Sequence, residues 1–206
     1  MRISGSYFIL PAIMKKTLAW CLLIISTAFL LSSKPARVND KVQLTSEELK
    51  LYNLVTAYRT ANGLPAIPLS TSLTFVAQLH VKDLAENRPD TGNCVMHSWS
   101  NKGKWQSCCY TADHAQKLCM WNKPAELTSY TGKGFEIAAQ YSEGMDAKKA
   151  LELWKASQYH NAAILNAGPY KTKWNAMGIG IYDNYAVIWF GHEADKDGEP
   201  VRPAKR

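Results

Sequence analysis

The segment that most limits how this chain can fold is Met177-Gly-Ile-Gly-Ile-Tyr182, followed across Asp183-Asn184 by Tyr185-Ala-Val-Ile-Trp-Phe190. Two β-rich runs around two turn residues predict a β-hairpin. Gly178 and Gly180 alternate with Ile179 and Ile181, so successive side chains give one face that is aliphatic and one that is nearly bare. A bare strand face requires something to come close to it, either another backbone or a large ring.

Helical patterns precede the hairpin. Thr45-Ser-Glu-Glu48 has the spacing of a capping box. Leu51, Leu54, Val55 and Tyr58 then give one apolar face, and Asn62-Gly63 ends it. A second helix is expected from about Ser70 to just before Pro89. It carries Leu73, Val76, Ala77, His80 and Leu84 on its apolar face, and His80 reads there as a hydrogen-bonded core residue. Phe135 to Ala139 reads as a short strand. Ala147, Ala150, Leu151 and Trp154 mark a short helix capped by Asp146, with Ser157 and His160 continuing the same side just past its end. The order is helix, helix, long loop, strand, helix, hairpin, which predicts an α+β fold with an antiparallel sheet covered by helices.

Lys15 and Lys16 precede an apolar run through Leu22, Leu23, Ile24 and Ile25 to Leu31, with small residues after it. Residues 1–33 therefore read as a secretory signal peptide, with Met14 a more ordinary start than Met1. The run is short for a bilayer span, which needs about 20 residues, so the membrane enters only if the signal stays uncleaved. A secreted, periplasmic or extracellular location follows. The chain carries a net charge of +7, and removing the three cations of the signal leaves +4. The cations are scattered, with no stripe for nucleic acid. Residues 34–44 read as a linker and 193–206 as a flexible tail, leaving one domain over 45–192 that is expected to be monomeric.

Four cysteines outside the signal, Cys94, Cys108, Cys109 and Cys119, fall within one window of the long loop. An even number in an exported chain implies two disulfides, and the spacing lacks the CxxC knuckles of a zinc site. Three pairings are open. A bond between the adjacent Cys108 and Cys109 would be strained, so each is expected to reach Cys94 or Cys119. The cysteine-rich loop 94–119 also brings in Trp99, Trp105, His97 and His114. His114, in a polar run, reads as a solvated surface residue.

The chain's chemistry concentrates in His97, Glu136 and His160, which come from three separate segments. Five pieces in this order resemble the CAP superfamily, whose unit is also called the SCP domain: cysteine-rich secretory proteins, antigen 5 and pathogenesis-related proteins. They are Ala57-Tyr-Arg59-Thr-Ala-Asn-Gly63-Leu-Pro, His97-Ser98, Phe135-Glu136-Ile137, Trp154-x-x-Ser157-x-x-His160 and Ala186-Val-Ile-Trp-Phe190-Gly191. The resemblance spans about residues 45–192. It implies a three-layer α-β-α sandwich with a central antiparallel sheet and a cleft where two histidines and two acids converge. His97 and His160 match the histidines and Glu136 the first acid. The second acid's position is Ser157.

Two neutral imidazoles and a carboxylate could hold Zn²⁺ or another divalent metal with an open position. That makes His97, His160 and, as a third donor, Glu136 the metal candidates. Without metal, the same trio could act as a His–Glu acid/base pair. Neither Ser98 nor Ser157 sits in a Gly-x-Ser-x-Gly elbow, so non-catalytic use is favoured. The first expectation is a secreted binding module for a small apolar, lipid- or glycan-like ligand, in keeping with the sterol-, fatty-acid- and metal-binding that the resemblance implies. A metal-assisted peptidase or esterase using His97, Glu136 and His160, with Ser157 at the second-acid position, is one alternative. An envelope protein-interaction factor acting through the cysteine-rich loop is another.

Overall fold

The computed structural model describes residues 42–204. The expected signal peptide, residues 34–41 of the linker, and Lys205 and Arg206 lie outside the described residues. Helix α1 (Ser46–Ala61) starts at Thr45. Its hydroxyl accepts from the Glu48 N–H while the Glu48 carboxylate accepts from the Thr45 N–H, the reciprocal pair that a capping box predicts. Helix α2 (Thr71–Asn87) is capped by Ser70. Two one-turn helices, α3 (Lys117–Trp121) and α4 (Lys123–Leu127), interrupt the long loop. Strand β1 (Gly134–Gln140), helices α5 (Ala147–Ala156) and α6 (Gln158–Ile164), and strands β2 (Ala176–Tyr182) and β3 (Tyr185–Gly191) complete the domain.

The sheet is antiparallel, in the order β1-β3-β2. Phe135 pairs with Phe190 and Ile179 with Ile188. Strand alternation divides the core in two. Ile137, Ala139, Met177, Ile179, Ala186, Ile188 and Phe190 face α1, α5 and α6. Ala138, Ala176, Val187 and Trp189 face α2 and the cysteine-rich loop. Helices therefore cover both faces, giving the expected three layers.

The bare face of β2 is filled by the backbone of α2. A Cβ added at Gly178 would lie 2.0 Å from the Leu73 carbonyl carbon, and one at Gly180 would lie 2.5 Å from the Ala77 oxygen. This close approach seats α2 directly on the sheet. Arg59 ties the layer on the other face together. Its fully buried guanidinium donates to the carbonyls of Pro65 and Ile164 and to the Asn166 side chain.

Two expectations are corrected. His160 does not lie in the chain just past a helix end. Ser157 adopts an extended conformation (φ −94°, ψ 118°), and its hydroxyl accepts from the His160 N–H at 3.5 Å. It ends α5 and caps α6, so His160 lies inside a second short helix. The tail and the end of the linker are built into the domain. Val201 and Leu44 donate to the carbonyls of Val42 and Val201. Asp195 accepts from the Ser70 hydroxyl at 2.6 Å and from the Ser72 N–H at 2.8 Å. A carboxylate there completes the N-terminus of α2, where unpaired N–H groups and the helix dipole favour negative charge. No helix among the described residues is long and apolar enough to cross a membrane.

Gly178→Ala should cost about 3 kcal/mol or prevent folding, because the methyl group meets helix backbone rather than a movable side chain. Urea unfolding followed by far-UV circular dichroism measures this. A loss below about 1 kcal/mol would mean that α2 is not seated on β2 as described.

Candidate functional site

Among the described residues, strand β1 pairs only with β3. Along its free edge runs a cavity of about 770 Å³, walled by α6 on one side and by α3 and its lead-in on the other. His97, Glu136 and His160 all line it, so the three side chains expected to converge do share one pocket. Ser157 is not among the lining residues.

Glu136 sits at the floor of this cavity on the α2-facing side of β1, with no side-chain exposure. Its two oxygens are used by two histidines. Oε1 lies 2.5 Å from His80 Nδ1 and Oε2 lies 2.7 Å from His97 Nδ1. His80 also points Nε2 at the Ser98 carbonyl, 2.9 Å away, and its ring stacks on Trp99 at 4.3 Å. A carbonyl can only accept, so His80 Nε2 must carry a proton. With Glu136 ionised, Nδ1 must carry one as well, making His80 an imidazolium.

Burial opposes charge on both partners but is outweighed. For His80, the charge and hydrogen bond of Glu136 raise the pKa above the usual histidine range. For Glu136, the two histidines lower it below the usual carboxylate range. His97 donates its Nδ1–H to the other Glu136 oxygen. His160 is held below the usual range by burial and by the proximity of His97, so it stays neutral at neutral pH.

The cysteine-rich loop builds one wall. Cys94 bonds Cys109 and Cys108 bonds Cys119, so the adjacent cysteines reach out in opposite directions. The second bond ties α3 to the segment before Tyr110. Tyr110 meets His97 edge-on at 5.2 Å, and its hydroxyl pairs with His114 Nδ1 at 2.8 Å. His114 is exposed, as expected of a surface residue, yet it lines the cavity with Lys117, Met120 and Trp121. The opposite end is aromatic. Trp174 stacks between Phe190 (5.2 Å) and His192 (4.4 Å), with Phe135 tilted against it at 5.4 Å.

Both Glu136 oxygens are committed to histidines. Among the described residues, no three His, Cys, Asp or Glu side chains group closely enough to hold an ion. The two serines beside the histidines are committed too. Ser98 is buried and its hydroxyl accepts from the Tyr110 N–H at 2.8 Å, while Ser157 caps α6.

Sequence reasoning placed His80 in the core and hydrogen-bonded, as it is, but missed its partner. It also did not single out Tyr110, Trp174 or His192. The one available signal for Tyr110 was its position next to Cys109, since a residue following a disulfide cysteine is held wherever the bond goes.

The family model described as the cysteine-rich secretory protein family, CAP, matches residues 52–187. Three solved structures are similar to the chain. An extracellular protein containing an SCP domain from Bacillus anthracis has 18% identity and a TM-score of 0.49, over 71% of this chain and 40% of that one. An outer surface protein from Borrelia burgdorferi has 19% identity and a TM-score of 0.48, over 72% of this chain and 94% of that one. A cysteine-rich secretory protein from Staphylococcus aureus has 15% identity and a TM-score of 0.47, over 76% of this chain and 40% of that one. The chain thus spans 40% of the length of the Bacillus and Staphylococcus proteins. No curated protein matches it.

The His80–Glu136 pair sets a pH dependence. A histidine whose folded pKa is raised stabilises fully below its unfolded value of 6.5, and that contribution is lost as pH rises through the folded value. A carboxylate whose folded pKa is lowered stabilises above 4.5 and loses that contribution as pH falls through the folded value. The pair should therefore hold best between about 4.5 and 6.5. In His80→Gln the wild-type loss on the alkaline side, at most about 1.4 kcal/mol per pH unit for one proton, should disappear. Urea unfolding from pH 5 to 9 reads the difference, and parallel wild-type and variant curves would contradict the pairing.

Proposed function

Because the chain belongs to the cysteine-rich secretory protein, or CAP, family, we propose that it is a secreted binding module whose cleft holds a lipid- or glycan-like ligand. The observation that carries this is the cavity. Its size lies within the range of small-molecule sites, and it is walled by aromatic side chains with a few polar groups converging at one end. The expected signal peptide and the two disulfides support an exported setting.

The chemistry of the floor supports binding over catalysis. His97 is oriented by Glu136 in the manner of a general base, but the hydroxyls beside the two cleft histidines are committed to backbone groups. The hydrolase alternative would need His97 to activate water, with His160 alongside, on a substrate placed within reach. The envelope-interaction alternative has the cysteine-rich loop in its favour, but that loop spends His97, Tyr110, His114 and Lys117 on the cleft wall.

The mature chain should bind members of a panel of monoacylglycerols, sterols and oligosaccharides, as read by quenching of tryptophan fluorescence and by native mass spectrometry. Trp121→Ala should weaken that binding about tenfold, because it removes a ring from the wall. No binding by any member, together with turnover of ester or peptide substrates that is lost in His97→Ala, would replace this reading with the hydrolase.

A further inference from the structure

The hairpin fixes which backbone groups of β1 face outward. Tyr182 and Tyr185 pair across a two-residue turn, so the odd-numbered residues of β3 bond to β2 and the even-numbered ones to β1. The Tyr141 N–H donates to the Asn184 carbonyl at 2.9 Å, continuing the same alternation past the end of β1. On β1 the odd positions therefore spend their N–H and C=O groups on β3. Gly134, Glu136, Ala138 and Gln140 turn theirs to the free edge.

Of these four, Glu136 lines the cavity. Its side chain has no exposure, yet the residue is 8% exposed, so what it shows the cavity is main chain. Its N–H and C=O have no hydrogen-bond partner among the described residues. The cavity passes over this edge. Phe135, Ile137 and Trp174 line it from the α6-facing side of the sheet, and His97 and Tyr110 from the α2-facing side.

An unpaired donor and acceptor on an edge strand are a template for another strand. Proteins often blunt such an edge with Pro or Lys, and β1 has neither. It is recessed between α3 and α6 instead, which keeps out a second sheet and admits one narrow strand. An acyl chain or a sterol ring would cover both groups and bond neither, leaving them desolvated. An extended peptide brings the complementary carbonyl and N–H at ladder spacing.

We propose that the floor of the cleft pairs with an extended peptide, the Glu136 main chain exchanging both hydrogen bonds with one residue of an antiparallel guest strand. This rests on reading the cleft as a ligand site and adds a peptide to the ligands its walls take. Strand alternation sets the side-chain pattern of the guest. The residue opposite Glu136 turns toward His97 and Tyr110. It must be small and polar, because His97 already stands beside Glu136. Its two neighbours turn toward Phe135, Ile137 and Trp174, which suit apolar groups.

The test is titration of the full mature chain with blocked pentapeptides, acetyl-Ser-X-Thr-X-Ser-amide with X as Phe, Leu or Val, read by calorimetry and by NMR amide exchange. At least one should bind, and the form with X as Asp should bind at least about tenfold more weakly. N-methylation at Thr, which removes the donor to the Glu136 carbonyl, should cost at least about tenfold. At either X, where the N–H faces away from β1, it should cost less than about threefold. At saturation the Glu136 amide proton should exchange at least about tenfold more slowly, while that of Ile137, already in the ladder, stays as it was. Equal tolerance of N-methylation at all three positions, or unchanged exchange at Glu136, overturns the proposal. If no pentapeptide binds while a monoacylglycerol, sterol or oligosaccharide does, the peptide alone is refuted and the pocket reading stands. If nothing binds at all, both readings fall.

Discussion

The rest of the architecture depends on how a fully buried carboxylate on β1 is kept charged. The Glu136 side chain has no contact with solvent, and an ionised carboxylate in such a place is tolerable only if paired and hydrogen-bonded. His80 comes from α2 and His97 from the cysteine-rich loop. Each arrives from a different segment of the layer that covers that face of the sheet. Removing one partner of a buried pair typically costs about 3–5 kcal/mol, so the pairing ties helix, loop and sheet edge to one another. The seating of α2 is its precondition. The helix lies on β2, on the far side of β3 from β1, and His80 reaches Glu136 past the edge of Trp189. Side chains at Gly178 and Gly180 would hold the helix off the sheet and take His80 out of range of Glu136.

The cysteine-rich loop solves a different problem. Few of its residues belong to regular elements, and a stretch of that length has little hydrogen-bond reason to adopt one shape. The two disulfides reach outward from neighbouring cysteines and span 15 and 11 residues. Each restricts the unfolded chain, by roughly 3 kcal/mol for a loop of that size. They also fix the direction in which Tyr110 leaves the pair, and through its hydroxyl the position of His114. The loop core is then filled by Trp99, packed against both His80 and Trp105. One set of contacts thus stabilises the loop and forms the back of the cleft floor.

What could be read from the sequence divides along the range of the interactions involved. The capping box at Thr45, the cap at Asp146, the hairpin around Asp183-Asn184 and the need for close approach at Gly178 are consequences of near neighbours, and each is visible in a short window. The convergence of His97, Glu136 and His160 depended on resemblance, because no local pattern places three distant segments together. His80 was legible as a core histidine but not as the partner of Glu136. On a helix face of Leu, Val and Ala, an imidazole gives no hint of what lies 56 residues away. Ser157 misled for the opposite reason. Its spacing continues a helical face, but a serine prefers to cap rather than to extend a helix, and the backbone turned there. The tail looked frayed because its residues are charged. Asp195 instead serves the start of α2, a partner more than 120 residues earlier.

The commitments of Glu136 also bear on the chemistry open to the cleft. The Glu136 carboxylate neutralises a buried imidazolium through one oxygen and orients a second imidazole through the other. With His80 protonated, the pair is close to neutral overall, and Lys117 on α3 is the one lysine or arginine among the described lining residues. Replacing the family's second acid by Ser157 acts in the same direction. An acid there would have added negative charge beside α6, whereas the serine hydroxyl is used on the His160 backbone.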